Sequence, residues 1–492
     1  RVSNMRMNLS KGIIALGLVV GFNASAQVTT TLGGESATYM KKGANHLNFN
    51  AGGNHYFLTS TFEQAMMQFY LECFNAGGQV MAQNKLEINV GVFNNSYSIS
   101  DVIALGDNIY AMVEHMDKAA GKNTLSARVV SPNGDISTED NALLSMPFEK
   151  TMNPGINHAA VSPNQSVLAV VGELPFVKEE AAKVKIALYD ANLKETASHD
   201  LSLPGVLTKN RNIDVFVAND GTTYLTMRTF TKIGEISLQV FQVNTDGSLK
   251  QYTVETAAPT YIFSYTAATT PTNELVIAGT TYERKTVTVG EKMANGVFYF
   301  TNKGKIESSF TYTALDAPVE NLTARKLLMN GATIFLMTEI FKEEKITPPA
   351  SAAGTAASFE TNYNYTHKNE YIIAFEETGA KKFELNVAKE FTARDFNRQY
   401  LAGYFIVNGK LTIVYNDASR KYDQTTSNNS IVPVIVTITN DGMLSSPIVL
   451  IDKLKLPYNY LLYPSVNTVS GDTMMFLMKN NDTSQFVTMK LN

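Results

Sequence analysis

The chain has no tryptophan and a single cysteine among its 492 residues. Cys73 therefore has no internal disulfide partner. It sits in the apolar run "MMQFYLECF", without an adjacent basic or histidine side chain to make it a reactive thiolate. A buried, inert thiol is the expected state. The missing indoles weigh against sugar and quinone sites that rely on stacking, although Tyr and Phe can substitute. Basic blocks are also missing. The formal net charge is −4 with both signs mixed along the chain, so nothing is available to neutralise a phosphate backbone and nucleic acid is excluded as an expected partner. There is no Gly-x-Ser-x-Gly elbow, no His-Glu-x-x-His and no glycine-rich phosphate loop. The six histidines are scattered without ligand spacing, and the Asn-Asp-Gly and Thr-Asp-Gly stretches lack the alternating carboxylates of a calcium loop. No metal or other cofactor is expected. A glycosidase pair of carboxylates stays open, because its members need not be close in sequence.

What is present begins with a leader. "MRMNLSKGIIALGLVVGFNASAQ" has a basic start at Arg6 and Lys11, a short apolar stretch from Ile13 to Phe22, and the small-x-small pattern Ala24-Ser25-Ala26. It reads as a secretory signal peptide over residues 1–26, with the mature chain starting at Gln27. No cysteine follows, so no lipid anchor is expected at this site. The apolar stretch is too short for a membrane-spanning stop-transfer helix, and no later segment is long and apolar enough to span. Export without disulfides points to a bacterial envelope, periplasmic or extracellular, and to a core that needs no covalent staple.

Long stretches of helical period are also scarce. Apolar residues alternate, or form short runs rich in Val, Ile, Phe and Tyr closed by Gly, Asn, Asp and Pro, which is an all-β pattern. The turns fall into two interleaved series. The first includes Gly52-Gly53, Gly106-Asp107, Pro163-Asn164, Asp220-Gly221, Pro271-Thr272, Asn330-Gly331, Asn408-Gly409 and Gly471-Asp472. The second includes "NAGGQ" at Asn75, "SPNGD" at Ser131, "DANLK" at Asp190, "NTDGS" at Asn244, "TNKGK" at Thr301, "EETGA" at Glu376 and "TNDGM" at Thr439. Tight hairpins need the positive φ that such residues supply. Two hairpins per repeat make four strands, at a spacing of roughly fifty to sixty residues, which is the signature of propeller blades. Residues 27–492 are thus expected to form one β-propeller domain of four-stranded antiparallel blades, eight in number, with seven as the alternative. The last repeat, ending in "SQFVTMKLN", is one strand short. A strand within "VTTTLGGESATYM" is free to complete it and close the ring. A Pro-, Ala-, Ser- and Thr-rich excursion is expected at about 341–370.

The stretch "HAAVSPNQSVLAVV", His158 to Val171, resembles the strand, Ser-Pro-Asp-Gly-type turn and strand signature of bacterial envelope propellers of the TolB and WD-repeat-like type, with Asn-Gln in place of Asp-Gly. That resemblance implies a binding or scaffolding platform more often than an enzyme.

Within each blade the innermost strand precedes the first-series turn, and the segments entering these strands should converge on one face of the central channel. His46, Asn157, His158, Arg211, Asp214, Arg325, Arg398, Tyr400 and Tyr460 lie on those segments. Their amide, guanidinium, imidazole and phenol groups suit directional binding of a polar or anionic ligand. The expected function is an exported, non-catalytic platform for a protein, peptide or small polar ligand. The alternatives are a hydrolase or lyase acting on an anionic or glycan substrate, and a purely structural part of a surface assembly.

Overall fold

The computed structural model describes residues 28–36, 45–63, 66–88, 95–148, 155–177, 180–206, 212–230, 236–256, 260–283, 293–303, 309–345, 363–393, 402–425, 430–454, 461–470, 473–479 and 484–491. The leader expected over residues 1–26 lies outside them.

The described chain is almost wholly β. After β1 (Val28–Ser36) come β2 (Asn45–Ala51), β3 (Asn54–Glu63), β4 (Met66–Phe74) and β5 (Val80–Leu86). The next meander is β6 (Asn95–Leu105), β7 (Asn108–Asp117), β8 (Lys122–Val130) and β9 (Asn141–Pro147), and then β10 (Ile156–Val161), β11 (Val167–Glu173), β12 (Ala181–Asp190) and β13 (Glu195–Val206). There follow β14 (Asn212–Val217), β15 (Thr223–Phe230), β16 (Ile236–Val243) and β17 (Leu249–Val254), and β18 (Thr260–Thr269), β19 (Leu275–Glu283), β20 (Met293–Thr301) and β21 (Ser309–Glu320). The chain continues through β22 (Leu322–Asn330), β23 (Thr333–Lys345), β24 (Tyr363–Glu376) and β25 (Lys381–Ala393), and then β26 (Gly403–Val407), β27 (Lys410–Ala418), β28 (Ile431–Ile438) and β29 (Ile448–Val449). A short helix, α1 (Leu450–Leu454), precedes β30 (Leu461–Ser470), β31 (Thr473–Lys479) and β32 (Ser484–Leu491).

Each run of four is an antiparallel meander whose first strand touches the first strands of its neighbours. β2 meets β6, β6 meets β10, and the series continues to β30, which returns to β2. This is a propeller, with the first strands around a central axis. The expected eight separate blades are corrected by the hydrogen bonding, which divides the strands into seven sheets, six of four strands and one of eight. The eight-stranded sheet arises because Ile236 of β16 pairs with Ile262 of β18, joining two consecutive meanders by a single backbone pairing.

The ring closes as the strand count suggests. β1 pairs antiparallel with β32, from Val28↔Leu491 to Ser36↔Ser484, and so covers the last sheet's outer edge. Between the last and first sheets, Phe74 stacks on Phe486 at 4.4 Å, and Phe57 meets both rings edge-on.

Second strands read as continuous apolar runs because both of their faces are covered. In β11, Leu168 and Val170 enter one inter-sheet core while Ala169 and Val171 enter the next. Cys73 is fully buried in such a core, and burial pushes its thiol pKa up. The excursion expected at about 341–370 is shorter than the composition suggests. Residues 341–345 and 363–370 extend β23 and β24, with Phe341 opposite His367 and Lys345 opposite Tyr363. Residues 346–362 lie outside the described set.

Candidate functional site

All first strands run in one direction, so their starting ends share one face of the ring and the first-series turns share the other. Of the residues singled out in the sequence, His46, Asn157, His158, Asp214 and Arg325 lie on the described first strands β2, β10, β14 and β22. His158 Nε2 lies 2.7 Å from Glu173 Oε1, across the β10–β11 pair. Burial raises the nearby Glu114 carboxyl above its ordinary range, while His158 pulls it the other way. Asn157, one residue earlier, has both side-chain amide atoms buried and without a hydrogen-bond partner among the described residues. Asp214 is exposed and accepts a hydrogen bond from Tyr265 Oη at 3.3 Å, and the Arg228 guanidinium stands 6.0 Å from the centre of that tyrosine ring. His46 pairs through its backbone with Thr59. Arg211, Arg398, Tyr400 and Tyr460 lie outside the described residues, so the convergence expected of them with the others is not described.

Arg325 leads to a cluster of charged side chains. Its Nε and Nη2 donate to Glu339 Oε2 at 2.9 and 2.6 Å, and its guanidinium carbon lies 4.9 Å from the centre of the Phe341 ring. The other oxygen of Glu339 accepts from Lys389 Nζ at 2.5 Å and lies 2.9 Å from His367 Nδ1. Lys389 also donates to Glu370 Oε1 at 2.6 Å, and Tyr404 Oη donates to Glu370 Oε2 at 2.5 Å. Glu339, His367, Glu370 and Lys389 are fully buried.

Burial opposes the charge of Glu339, but Lys389, His367 and Arg325 outweigh it and hold the carboxyl far below its usual range. Burial likewise opposes the charge of Lys389, and its two glutamate partners reverse that and raise its pKa. Burial dominates at Glu370 and raises it, and burial dominates at His367 and lowers it. Arg325 and Lys389 therefore face the carboxylate of Glu339 and the carboxyl of Glu370 in a buried cluster joining β22–β25 to β26. Such a set fixes geometry and offers little to a ligand.

A repeat position explains where these groups sit. The first-series turns place left-handed residues at Gly106, Gln165, Gly331 and Gly409. The same offset along the following strand brings each to Glu114, Glu173, Glu339 and Asp417. This signal was present in the sequence and marks carboxylates that motif-based reasoning passed over. Lys389 and Tyr404 had no such marker.

Open space is found at the opposite end. A cavity of about 600 Å3 is walled by the far ends of four consecutive first strands, β10, β14, β18 and β22, and by the turns after three of them. Val161, Val215, Val217, Ala268, Leu328 and Met329 supply most of its apolar lining, and Asn164 and Asn219 stand at the turns. Asn164 is fixed there by its amide N–H, which donates to Asn219 Oδ1 at 3.1 Å. Ser162 belongs to the same turn. Its Oγ accepts from the amides of Ser166 and Val167 at 3.2 and 3.0 Å and donates to Asn164 Oδ1 at 2.8 Å, so it serves as a turn clamp. Among the described residues, no group of three or more His, Cys, Asp or Glu side chains has the arrangement of a metal site, and no helix is long and apolar enough to cross a membrane.

No protein-family model matches the sequence, and comparison with curated proteins yields no match. Solved structures that resemble the chain include an oligogalacturonate lyase in complex with manganese, 11% identical, with 95% of this chain and 98% of that one covered and a TM-score of 0.39. An α-L-arabinanase of Penicillium chrysogenum complexed with arabinobiose is 10% identical over 64% of this chain and 93% of its own, with a TM-score of 0.34. A mutant of the Synechocystis apocarotenoid oxygenase is 10% identical over 95% of this chain and 94% of its own, with a TM-score of 0.35. Likeness at this level transfers neither activity nor substrate, and the fold rests on the sheets described above.

Proposed function

We propose that the protein is an exported, non-catalytic binding platform of the cell envelope, and that it binds through the cavity at the first-series-turn face. The observation that carries this reading is the pairing of about 600 Å3 of space with a mainly apolar lining held by four rigid strands. That volume lies within the range of about 300–1,000 Å3 in which small-molecule sites fall. The ligand is therefore apolar where it meets the protein, in place of the small polar ligand that the entry-face residues suggest. The acid–base groups described on the entry face support the same choice. Arg325, Glu339 and Lys389 sit in ion pairs at the other end of the strands and His158 is hydrogen-bonded to Glu173 there, and this favours a scaffold over a hydrolase or lyase.

Two measurements test the proposal. Ala268→Trp fills the cavity and should weaken binding of N-phenyl-1-naphthylamine by about tenfold or more, a loss of roughly 1.4 kcal/mol, whereas Arg325→Met should leave it unchanged. Equal binding by the wild type and Ala268→Trp would sink the site assignment. For export, the protein recovered from the envelope fraction should begin at Gln27, and retention of residues 1–26 on a cytoplasmic product would contradict it.

A further inference from the structure

The first strands, which surround the axis, carry very little charge. Across β2, β6, β10, β14, β18, β22, β26 and β30, the acidic and basic side chains other than histidine are Asp101, Asp214, Arg325 and Lys326. Asp101 accepts from the Val102 amide at 2.8 Å, Asp214 accepts from Tyr265, and Arg325 is paired with Glu339. Lys326 differs from these. Its Nζ donates to the Tyr404 carbonyl at 3.4 Å and stands 5.9 Å from the centre of the Phe405 ring. No carboxylate is among its partners in the described residues.

Tyr404 and Phe405 belong to β26, so the ammonium lies between two first strands. Second strands stand behind both, and a side chain that solvent reaches there opens toward the axis. Lys326 is exposed, yet the protein around it desolvates the ammonium and lowers its pKa. A place inside a narrow channel accounts for both observations.

The same side chain adjoins the cavity. β22 pairs regularly from this point, with Lys326 opposite Met337, Leu327 opposite Leu336 and Leu328 opposite Phe335. Lys326 and Leu328 therefore project from one side of the strand, about 7 Å apart along it. Leu328 forms part of the cavity wall.

We propose that the ligand is an apolar chain ending in a single anionic group, and that this group takes Lys326 as its counter-charge. The inference rests on the cavity reading above and extends it past the apolar walls. An uncharged head leaves the ammonium unpaired, and a cationic head is repelled by it. Asp214, on the same ring of strands, opposes a second negative charge on the ligand.

Calorimetric titration with octanoate, n-octanol and octyltrimethylammonium reads the chain and the head separately. Octanoate should bind the wild type about tenfold tighter than octanol, and the ammonium should bind most weakly. Lys326→Met should remove the preference for octanoate and leave octanol affinity within about twofold, whereas Lys326→Arg should retain the preference. The methionine replaces an ammonium that has no carboxylate partner, so the thermal midpoint should not fall. Octanol binding the wild type as tightly as octanoate would overturn the head-group assignment without recourse to any variant. A Lys326→Met protein that keeps the preference would overturn it too, and both results leave the cavity reading intact. If none of the three probes binds, the cavity reading fails and this inference falls with it.

Discussion

Lys389 is the most consequential single side chain outside the cavity. Its ammonium is fully buried between Glu339 and Glu370, and removing it leaves Glu339 to Arg325 and His367 and takes the only cation from Glu370 among its described partners. Lys389→Met should destabilise the protein by about 3–5 kcal/mol, read as a lower urea midpoint. The same cluster sets a pH dependence. The folded pKa of Glu339 lies below its ordinary 4.5, so its stabilisation is complete above 4.5 and is lost as pH falls through the depressed value. His367 is held below its ordinary 6.5, so the unfolded chain takes up that proton first and stability begins to fall near pH 6.5. Glu370 runs the other way. Its raised pKa makes the folded state costlier as pH rises through it, and that cost is relieved on acidification. The contribution of Lys389 is full below 10.5 and is lost only as pH rises through its raised value. His367→Gln should therefore flatten the decline in urea midpoint that sets in below about pH 6.5. An unchanged slope would assign the acid loss to other groups. Legibility at this scale was uneven. His158 and Arg325 were readable as entry-face residues, and Ser162 as a turn residue, because turn chemistry is local. The partners of Lys389 were not, because strand alternation tells which way a side chain faces and not what a neighbouring sheet places opposite it.

At the level of strands, the tight fits are local to particular pairs. A Cβ on Gly279 of β19 would collide with the Ser264 carbonyl oxygen and stand 2.7 Å from the Tyr265 Cα, both backbone atoms of β18. The β18–β19 register shifts at this point, between Ile262 and Ser264. Gly279→Ala should cost about 1–3 kcal/mol, because backbone has to move to admit it. A cost near zero would show that the two strands separate more easily than their pairing suggests. Closure is an element-scale prediction too. Deleting residues 28–36 exposes the β32 edge and should lower the thermal midpoint and promote association, measured by calorimetry and size-exclusion chromatography. A peptide with the sequence VTTTLGGES, added in trans, should partly restore both. Strands and their order were legible because Asn-Gly, Asp-Gly and Pro-Asn turns punctuate the chain. The extension of β23 and β24 into 341–345 and 363–370 was hidden by polar composition, since "FKEEK" and "YNYTH" look like loop until they pair with each other. The joining of two meanders was equally hidden, because a single Ile236–Ile262 pairing follows from how two units approach.

For the molecule as a whole, the ring follows from the arithmetic of hairpins, and the proposed function rests on the space at the first-series-turn face. The sequence drew attention to polar residues at the entry end, where Asn, Arg, His and Tyr gather. The structure pairs His158 and Arg325 with carboxylates there, and among the described residues a space is walled at the other end by the plain stretches "AAV", "DVFV" and "KLLM". These apolar ends were visible in the sequence, but they look like any strand core until the ring shows that they wall a cavity. The most direct test of this account is a crystal of the protein soaked with an octyl chain brominated at its tail, with bromine located by anomalous scattering. The account predicts a bromine peak among Val215, Ala268 and Leu328. A bound ligand with bromine beside Arg325 or His158, or on the outer surface with the cavity unfilled, would contradict it.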